Sequence, residues 1–211
     1  MIIRPYQQSD DAACIRIINK VWDFDSRYCP EELSEFFKRV YLLTSLSKSN
    51  FACVVEEDNN VQGFLFGNSG RKNLYRMEYS GITGSLRIVI EMLSIPGVPL
   101  KRKLQYAGMQ RTHEKNRKKI APDSENEVNL FAVDPEAQGR GHGKRLMGEF
   151  IKYCRRNNAR KISLETDEES NYTFYSRQGF RKTGEFFSPS LQDFTGSSGN
   201  TYVYELELDS G

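Results

Sequence analysis

Val133-Asp134-Pro135-Glu136-Ala137-Gln138-Gly139-Arg140-Gly141-His142-Gly143-Lys144-Arg145-Leu146-Met147 reads as a strand end, a turn and a glycine-rich entrance to a helix. The apolar run Val128 to Val133 predicts a mostly buried strand, which Pro135 ends by removing a ladder donor. Leu146, Met147, Phe150, Ile151 and Cys154 then recur at helical spacing, with Lys144, Arg145, Glu149, Lys152, Arg155 and Arg156 on the other face. Gly139, Gly141 and Gly143 let an anion approach the main chain closely, and the first helical turn supplies unpaired N–H donors at the positive end of the dipole. Such a turn is suited to a pyrophosphate without a metal.

Spacing separates the candidate loops. A P-loop needs Gly-Lys followed by Ser or Thr, but Gly143-Lys144 is followed by Arg145. A dinucleotide fingerprint needs Gly-x-Gly-x-x-Gly, whereas these glycines are spaced by two throughout. Gln138-Gly139-Arg140-Gly141-His142-Gly143 instead resembles the acyl-coenzyme A pyrophosphate loop, Gln/Arg-x-x-Gly-x-Gly/Ala, of the GNAT N-acyltransferase superfamily. A second segment agrees: after an expected strand Ile162 to Thr166, Asn171-Tyr172-Thr173-Phe174-Tyr175-Ser176-Arg177-Gln178-Gly179-Phe180 is similar to the family's Asn…Phe-Tyr-x-x-x-Gly-Phe signature. The resemblance covers Glu127 to Leu208 well and the first half loosely.

The order of elements resembles that fold. Ile2 to Tyr6 reads as a strand, and Asp10 as the N-cap of a helix through Ile15, Ile18 and Trp22. Pro30 opens a second helix, with Leu33, Phe36, Phe37, Val40 and Tyr41 as its apolar stripe. Phe51 to Val55 and Val61 to Phe66 form a predicted hairpin across Glu56 to Asn60, and Phe180 to Phe187 and Thr201 to Leu208 are the last strands. The expectation is an α/β protein with a mixed, mostly antiparallel central sheet flanked by helices, as one domain over residues 1–211. A helical insert, residues 68–126, precedes the cofactor-binding strand.

Within that insert, Ile82 to Ile95 reads as a buried helix, and Lys101 to Ile120 holds eight Lys or Arg against one acid, Glu114. The basic stretch is either a solvated helix face or a rim attracting an acidic substrate or the cofactor's 3′-phosphate. No nucleic-acid motif accompanies it. With 211 residues, 38% hydrophobic and a net charge of +2, the chain can bury a sizeable core. Cys14, Cys29, Cys53 and Cys154 lack metal-site spacing and suit a reducing cytoplasm. No segment reads as a signal peptide or membrane span, so the expected location is cytoplasmic, with no membrane partner and no metal.

The resemblance implies an N-acetyltransferase that moves an acetyl group from acetyl-CoA to a small-molecule or peptide amine. In the family, strands splay beside the cofactor, implying free main-chain groups near Phe131, Ala132 and Val133 for the pantetheine arm. The implied cofactor-binding set adds Gln138, Gly139, Arg140, Gly141, His142, Gly143, Lys144 and Asn171, with Asn171 also able to cap a helix and the His142 side chain expected to face solvent. Tyr175 occupies the position of the family's proton donor to the departing thiolate. Glu127 is the candidate general base, with an exposed strand-end carboxylate as the alternative. Strand alternation puts Asn129 on the same face as Glu127, where it can orient water or substrate. Two other functions stay open: a coenzyme-binding regulatory module without turnover, and an interaction protein using the basic insert. A C-terminal strand with an exposed edge makes a homodimer an option.

Overall fold

The computed structural model describes residues 1–70, 75–120, 124–167, 172–189, 192, 196 and 198–208, apart from the side chains of Met77, Gln110 and Tyr172. Asp58 and Asn59 turn the chain with φ of 51° and 60° between β2 (Phe51–Glu57) and β3 (Asn60–Ser69). Two successive positive φ values match the right-handed twist of paired strands, and short polar side chains tolerate them best. Around this hairpin lies a seven-stranded sheet in the order β1-β2-β3-β4-β5-β7-β6. Its other strands are β1 (Ile2–Pro5), β4 (Asn126–Val133), β5 (Lys161–Asp167), β6 (Arg181–Phe187) and β7 (Asn200–Glu207). Among the described residues, every strand pairing is antiparallel except β4 with β5.

Helices α1 (Asp11–Trp22), α2 (Phe24–Arg27) and α3 (Glu31–Ser47) cover one face. Their side chains Ile17, Ile18, Leu33, Phe36 and Phe37 join Phe64, Phe66, Leu130 and Ala132 in one apolar cluster. On the opposite face α6 (His142–Arg156) buries Leu146, Met147, Phe150 and Cys154 against Val55, Leu65, Val128, Ile162 and Leu164. Fully burying one such side chain contributes about 1.5–3 kcal/mol before the entropy of ordering it. The short helix α7 (Tyr172–Arg177) sits between β5 and β6 in the chain.

Several local expectations are corrected. Asp10 does not cap α1: its carboxylate takes the Arg4 guanidinium at 2.8 and 2.9 Å and the Gln7 N–H at 2.8 Å. Ile82 to Ile95 contains a helix, α4 (Gly81–Leu93), but not a buried one; Ile82 is 88% exposed and Leu86 58%. What anchors α4 is Met92 on its inner side, together with Gly84, where a Cβ would lie 2.4 Å from the Tyr79 carbonyl oxygen. The C-terminal strand has no open edge, because β7 lies between β5 and β6 and the edges are β1 and β6.

The basic stretch forms α5 (Leu100–Ile120), and neither simple reading of its charge holds throughout. Lys103 is buried and its ammonium donates to the carbonyls of Leu93 and Ile95 at 2.7 and 2.8 Å, which caps the end of α4. Met109 is buried and Tyr106 packs on Phe37, with ring centroids 4.1 Å apart. At the far end Asn116 donates to Phe187 O at 3.1 Å, and His113 Nδ1 lies 3.2 Å from Ser188 Oγ. The helix is thereby tied to α3, α4 and the β6 end of the sheet.

Candidate acyl-transfer site

The glycine loop is set up by the residues before it. Asp134 N–H bonds Gln62 O at 2.8 Å, and the Asp134 carboxylate receives the Glu136 N–H at 3.1 Å and the Lys20 ammonium at 3.1 Å. Gln138 spends its amide on Pro135 O, closing the turn. Gly139 and Gly141 follow with φ of 80° and 83°, and a Cβ at either would meet nothing within 4 Å. These two are glycines for their backbone conformation, not for lack of room. Arg145 N–H is the first in α6 to reach back, to Gly141 O at 3.2 Å. Among the described residues, the six amides from Gly139 to Lys144 therefore stand ahead of the helical ladder, at the positive end of the α6 dipole.

Gly143 lies inside α6 rather than in the loop, where a Cβ would come 3.2 Å from Phe131 and 3.3 Å from Phe174. Its role is close packing of the helix entrance on β4 and α7. Arg140 is exposed and bonds Glu57 at 3.2 Å, while Lys144 is exposed on an open depression lined by Arg140, Arg145 and Lys152. His142 corrects the expectation of a solvent-facing ring. It is 1% exposed, with Nδ1 2.9 Å from the Met1 sulfur and Nε2 3.6 Å from Glu57. As the first residue of α6, its side chain turns back under β1 and β2 instead of out with the loop.

Beside the loop, β4 and β5 part. Their parallel ladder is limited to Glu127 with Ser163 and Val128 with Leu164. Beyond Val128, among the described residues, the β5-facing edge of β4 through Phe131, Ala132 and Val133 has no strand partner. Buried backbone groups left free there need a partner. Phe131, Phe174 and Tyr175 pack together beside it, with ring centroids 5.4 to 6.3 Å apart.

The tyrosine is placed by the ending of α7. Phe180 N–H bonds Tyr175 O and Gly179 N–H bonds Ser176 O, both at 3.1 Å, with Gly179 at φ 93°. This is a Schellman ending, whose apolar contact is the Tyr175–Phe180 ring pair at 6.2 Å. Tyr-x-x-x-Gly-Phe is thus the spacing that stops the helix one turn past the phenol. Burial pushes the Tyr175 phenol well up, with a hydrogen bond to Thr166 opposing. Asn171 lies outside the described residues.

Glu127 is oriented by a break in β4. Phe66 pairs with Leu130 and Gly67 with Val128, so Asn129 is an extra residue without a partner on β3. Leu130 and Ala132 join the α1/α3 cluster, whereas Val128 joins the α6 cluster. Counting strictly back from Leu130 would put Glu127 on the α6 face; the bulge turns it to the other, under α5. Asn129 stays on the α3 side that Glu127 also meets, yet its amide is already spent there rather than turned to water or substrate. It donates to Lys48 O at 3.0 Å and Ser49 Oγ at 2.8 Å, tying down the end of α3.

Under α5, Glu127 is not an exposed strand-end carboxylate. Arg117 Nη2 donates to its Oε1 at 2.6 Å, and Arg117 Nε donates to Glu165. Burial raises Glu127 above the usual carboxylate range; Arg117 opposes that and Glu165 adds to it. Glu165 is raised by burial too, again against Arg117. Nearby, Tyr41 is pushed up by burial and by the fields of Asp167, Tyr28, Tyr175 and Glu165. Sequence reading gave Glu165 and Asp167 no role, took Tyr41 as part of an apolar stripe, and took Arg117 as one charge of the basic stretch. One signal for Glu165 exists, a carboxylate in a strand whose opposite face carries Ile162 and Leu164.

Among the described residues no group of three or more His, Cys, Asp or Glu can hold a metal, and no helix is long and apolar enough to cross a membrane. Residues 99–180 match the family model described as Acetyltransferase (GNAT) family. N-alpha-acetyltransferase RimI of Mycobacterium tuberculosis is 33% identical over 79 residues, covering 37% of this chain and 46% of that protein. The chain spans less than half the length of the curated relatives it matches. Among solved structures, PH1933 from Pyrococcus horikoshii OT3 superposes with a TM-score of 0.61 at 15% identity, covering 99% of this chain and 98% of that one. Ard1 from Thermoplasma volcanium gives 0.52 at 20% identity, covering 99% and 97%. These two show the fold, and the family match falls on the segment that carries the glycine loop and Tyr175.

Proposed function

We propose that this chain is an N-acetyltransferase that moves an acetyl group from acetyl-CoA to a primary amine by direct transfer, with both substrates bound together. The observation that carries the reading is the row of six amides from Gly139 to Lys144, unspent ahead of the α6 ladder and adjoining the opening between β4 and β5. Backbone donors at a helix entrance suit a pyrophosphate, and the free edge at Phe131, Ala132 and Val133 suits the amide groups of a pantetheine arm. Arg140 and Lys144 add charge at the loop. Acetyl-CoA supplies the activated acetyl group as a thioester.

An alkylammonium has a reference pKa of about 10.4, so a base must free the amine before it attacks. Glu127 has that role in this reading. Its burial strengthens it as a base relative to a solvated carboxylate. As the N–C bond forms and the C–S bond breaks, a main-chain N–H on the free edge of β4 stabilises the charge on the carbonyl oxygen. Tyr175, protonated at neutral pH like an ordinary phenol and kept so by burial, donates to the departing thiolate. All four thiols are free and three are buried, which suits a cytoplasmic setting.

The similarity to an N-alpha-acetyltransferase makes a peptide N-terminus the first acceptor to try. The test is thiol release from acetyl-CoA with peptides and small amines, with the acetylated product weighed by mass spectrometry. Thiol and product should appear in equal amounts with at least one acceptor class. Tight binding of acetyl-CoA without thiol release across the panel would leave a coenzyme-binding module instead.

A further inference from the structure

We propose that Arg117 is a positioning residue: from α5 it bridges Glu127 and Glu165 and keeps both carboxylates ionised, which makes the basic helix part of the acceptor site. The inference rests on the reading of Glu127 as the base. Its physical content, two carboxylates governed by one guanidinium, is testable without turnover.

The geometry is specific to arginine. Two different nitrogens of one planar fork reach carboxylates on two different strands, Nη2 to Glu127 and Nε to Glu165. An ammonium is a single point and cannot reproduce that spread. The three side chains are only 14%, 18% and 20% exposed. Two carboxylates so placed cannot both stay charged without a cation between them. The position matters as well, because Glu127 and Glu165 flank the point at which the β4/β5 ladder ends. Arg117 clips the strands together at the root of the opening. The helix is itself held at the residue before, Asn116 on Phe187 O, and one turn earlier, His113 on Ser188 Oγ, so the guanidinium works from a fixed arm.

The charged groups facing the pair come from several elements. Besides Arg117, α5 presents Glu114, 3.9 Å from Arg117, and His113, whose burial pushes its pKa down. Lys48, just past α3, pulls both glutamates down, but only as a lesser influence than Arg117. Removing Arg117 therefore leaves the effects of burial and mutual repulsion largely unopposed, and the proton shared by the pair should be held to higher pH.

The experiment is a ¹³C titration of the glutamate carboxyls in the full chain, wild type against R117Q and R117K, with E127Q and E165Q for assignment. In R117Q at least one of the two carboxyls should titrate higher by about one pH unit or more, and R117K should fall between. Where acetyl transfer is measurable, the acid limb of kcat/KM should move up by the same amount, because the base must be unprotonated to act. A merely structural role would lower the rate evenly and leave the limb in place. Unchanged titration in folded R117Q overturns the proposal, and should R117Q not fold, unchanged titration in R117K does so. A shifted titration in a protein that releases no thiol supports the role of Arg117 and removes the transferase reading.

Discussion

The two ends of β4 work in opposite ways. At its C-terminal end, Val133 leads into a loop whose chemistry belongs to the main chain, and its donors are the consecutive amides from Gly139 to Lys144. At its N-terminal end, Glu127 depends on side chains brought from elsewhere, Arg117 on α5 and Glu165 on β5, and on a bulge at Asn129 that decides which face it meets. Local backbone geometry can be written in a short motif. A charge cluster cannot, because its members are set by packing.

The contrast can be broken from either end. The largest effect is expected at the charged end: Glu127→Gln should lower kcat/KM by about 10²–10⁴-fold while acetyl-CoA affinity stays as in wild type. Its pH counterpart follows from the sign of the shift. Since burial raises Glu127, wild-type activity should fall on acidification through a pKa above the ordinary carboxylate value. A limb at the ordinary value would argue that another group is the base.

Next comes the loop. Gly141→Val forces an L side chain into φ 83° and displaces the donors around it. Losing two charge-assisted hydrogen bonds to phosphate should weaken acetyl-CoA binding by about 100-fold in calorimetry. Wild-type affinity in this variant would remove the loop from the cofactor site. Tyr175→Phe should reduce kcat by about 10- to 100-fold, the value of one hydrogen bond to a charged group, without a matching change in binding. If kcat holds, the ring only packs.

The smallest effect concerns stability. Gly179→Ala puts a methyl group at φ 93° and 3.3 Å from Leu206, in the turn that ends α7. It should cost about 1–2 kcal/mol, or about 2–8 °C in Tm by calorimetric scan. An unshifted Tm would mean that the Schellman ending is not what fixes Tyr175.

Much of the fold was legible because burial repeats with the period of each element. Leu33, Phe36, Phe37 and Val40 face the core as their spacing predicts, and so do Leu146, Met147, Phe150 and Cys154. Period says nothing about which apolar face finds a partner, and α4, read as buried, leaves Ile82, Leu86 and Ile90 exposed. It also assumes unbroken alternation, so the bulge at Asn129 could not be read from spacing. The orientation of His142 was missed because a residue between two glycines is at the loop's end and the helix's start at once, and only contact with Met1 and Glu57 decides where its ring goes.

By itself the sequence determined the order of strands and helices, the glycine turn before α6, and the Tyr-x-x-x-Gly-Phe ending of α7, since each depends on backbone preferences acting over a few residues. Tertiary structure alone decided that Arg117 meets Glu127 and Glu165, that β4 and β5 part after two residue pairs, and that β7 is enclosed. Those outcomes follow from contacts between segments far apart in the chain, whose geometry no local pattern encodes.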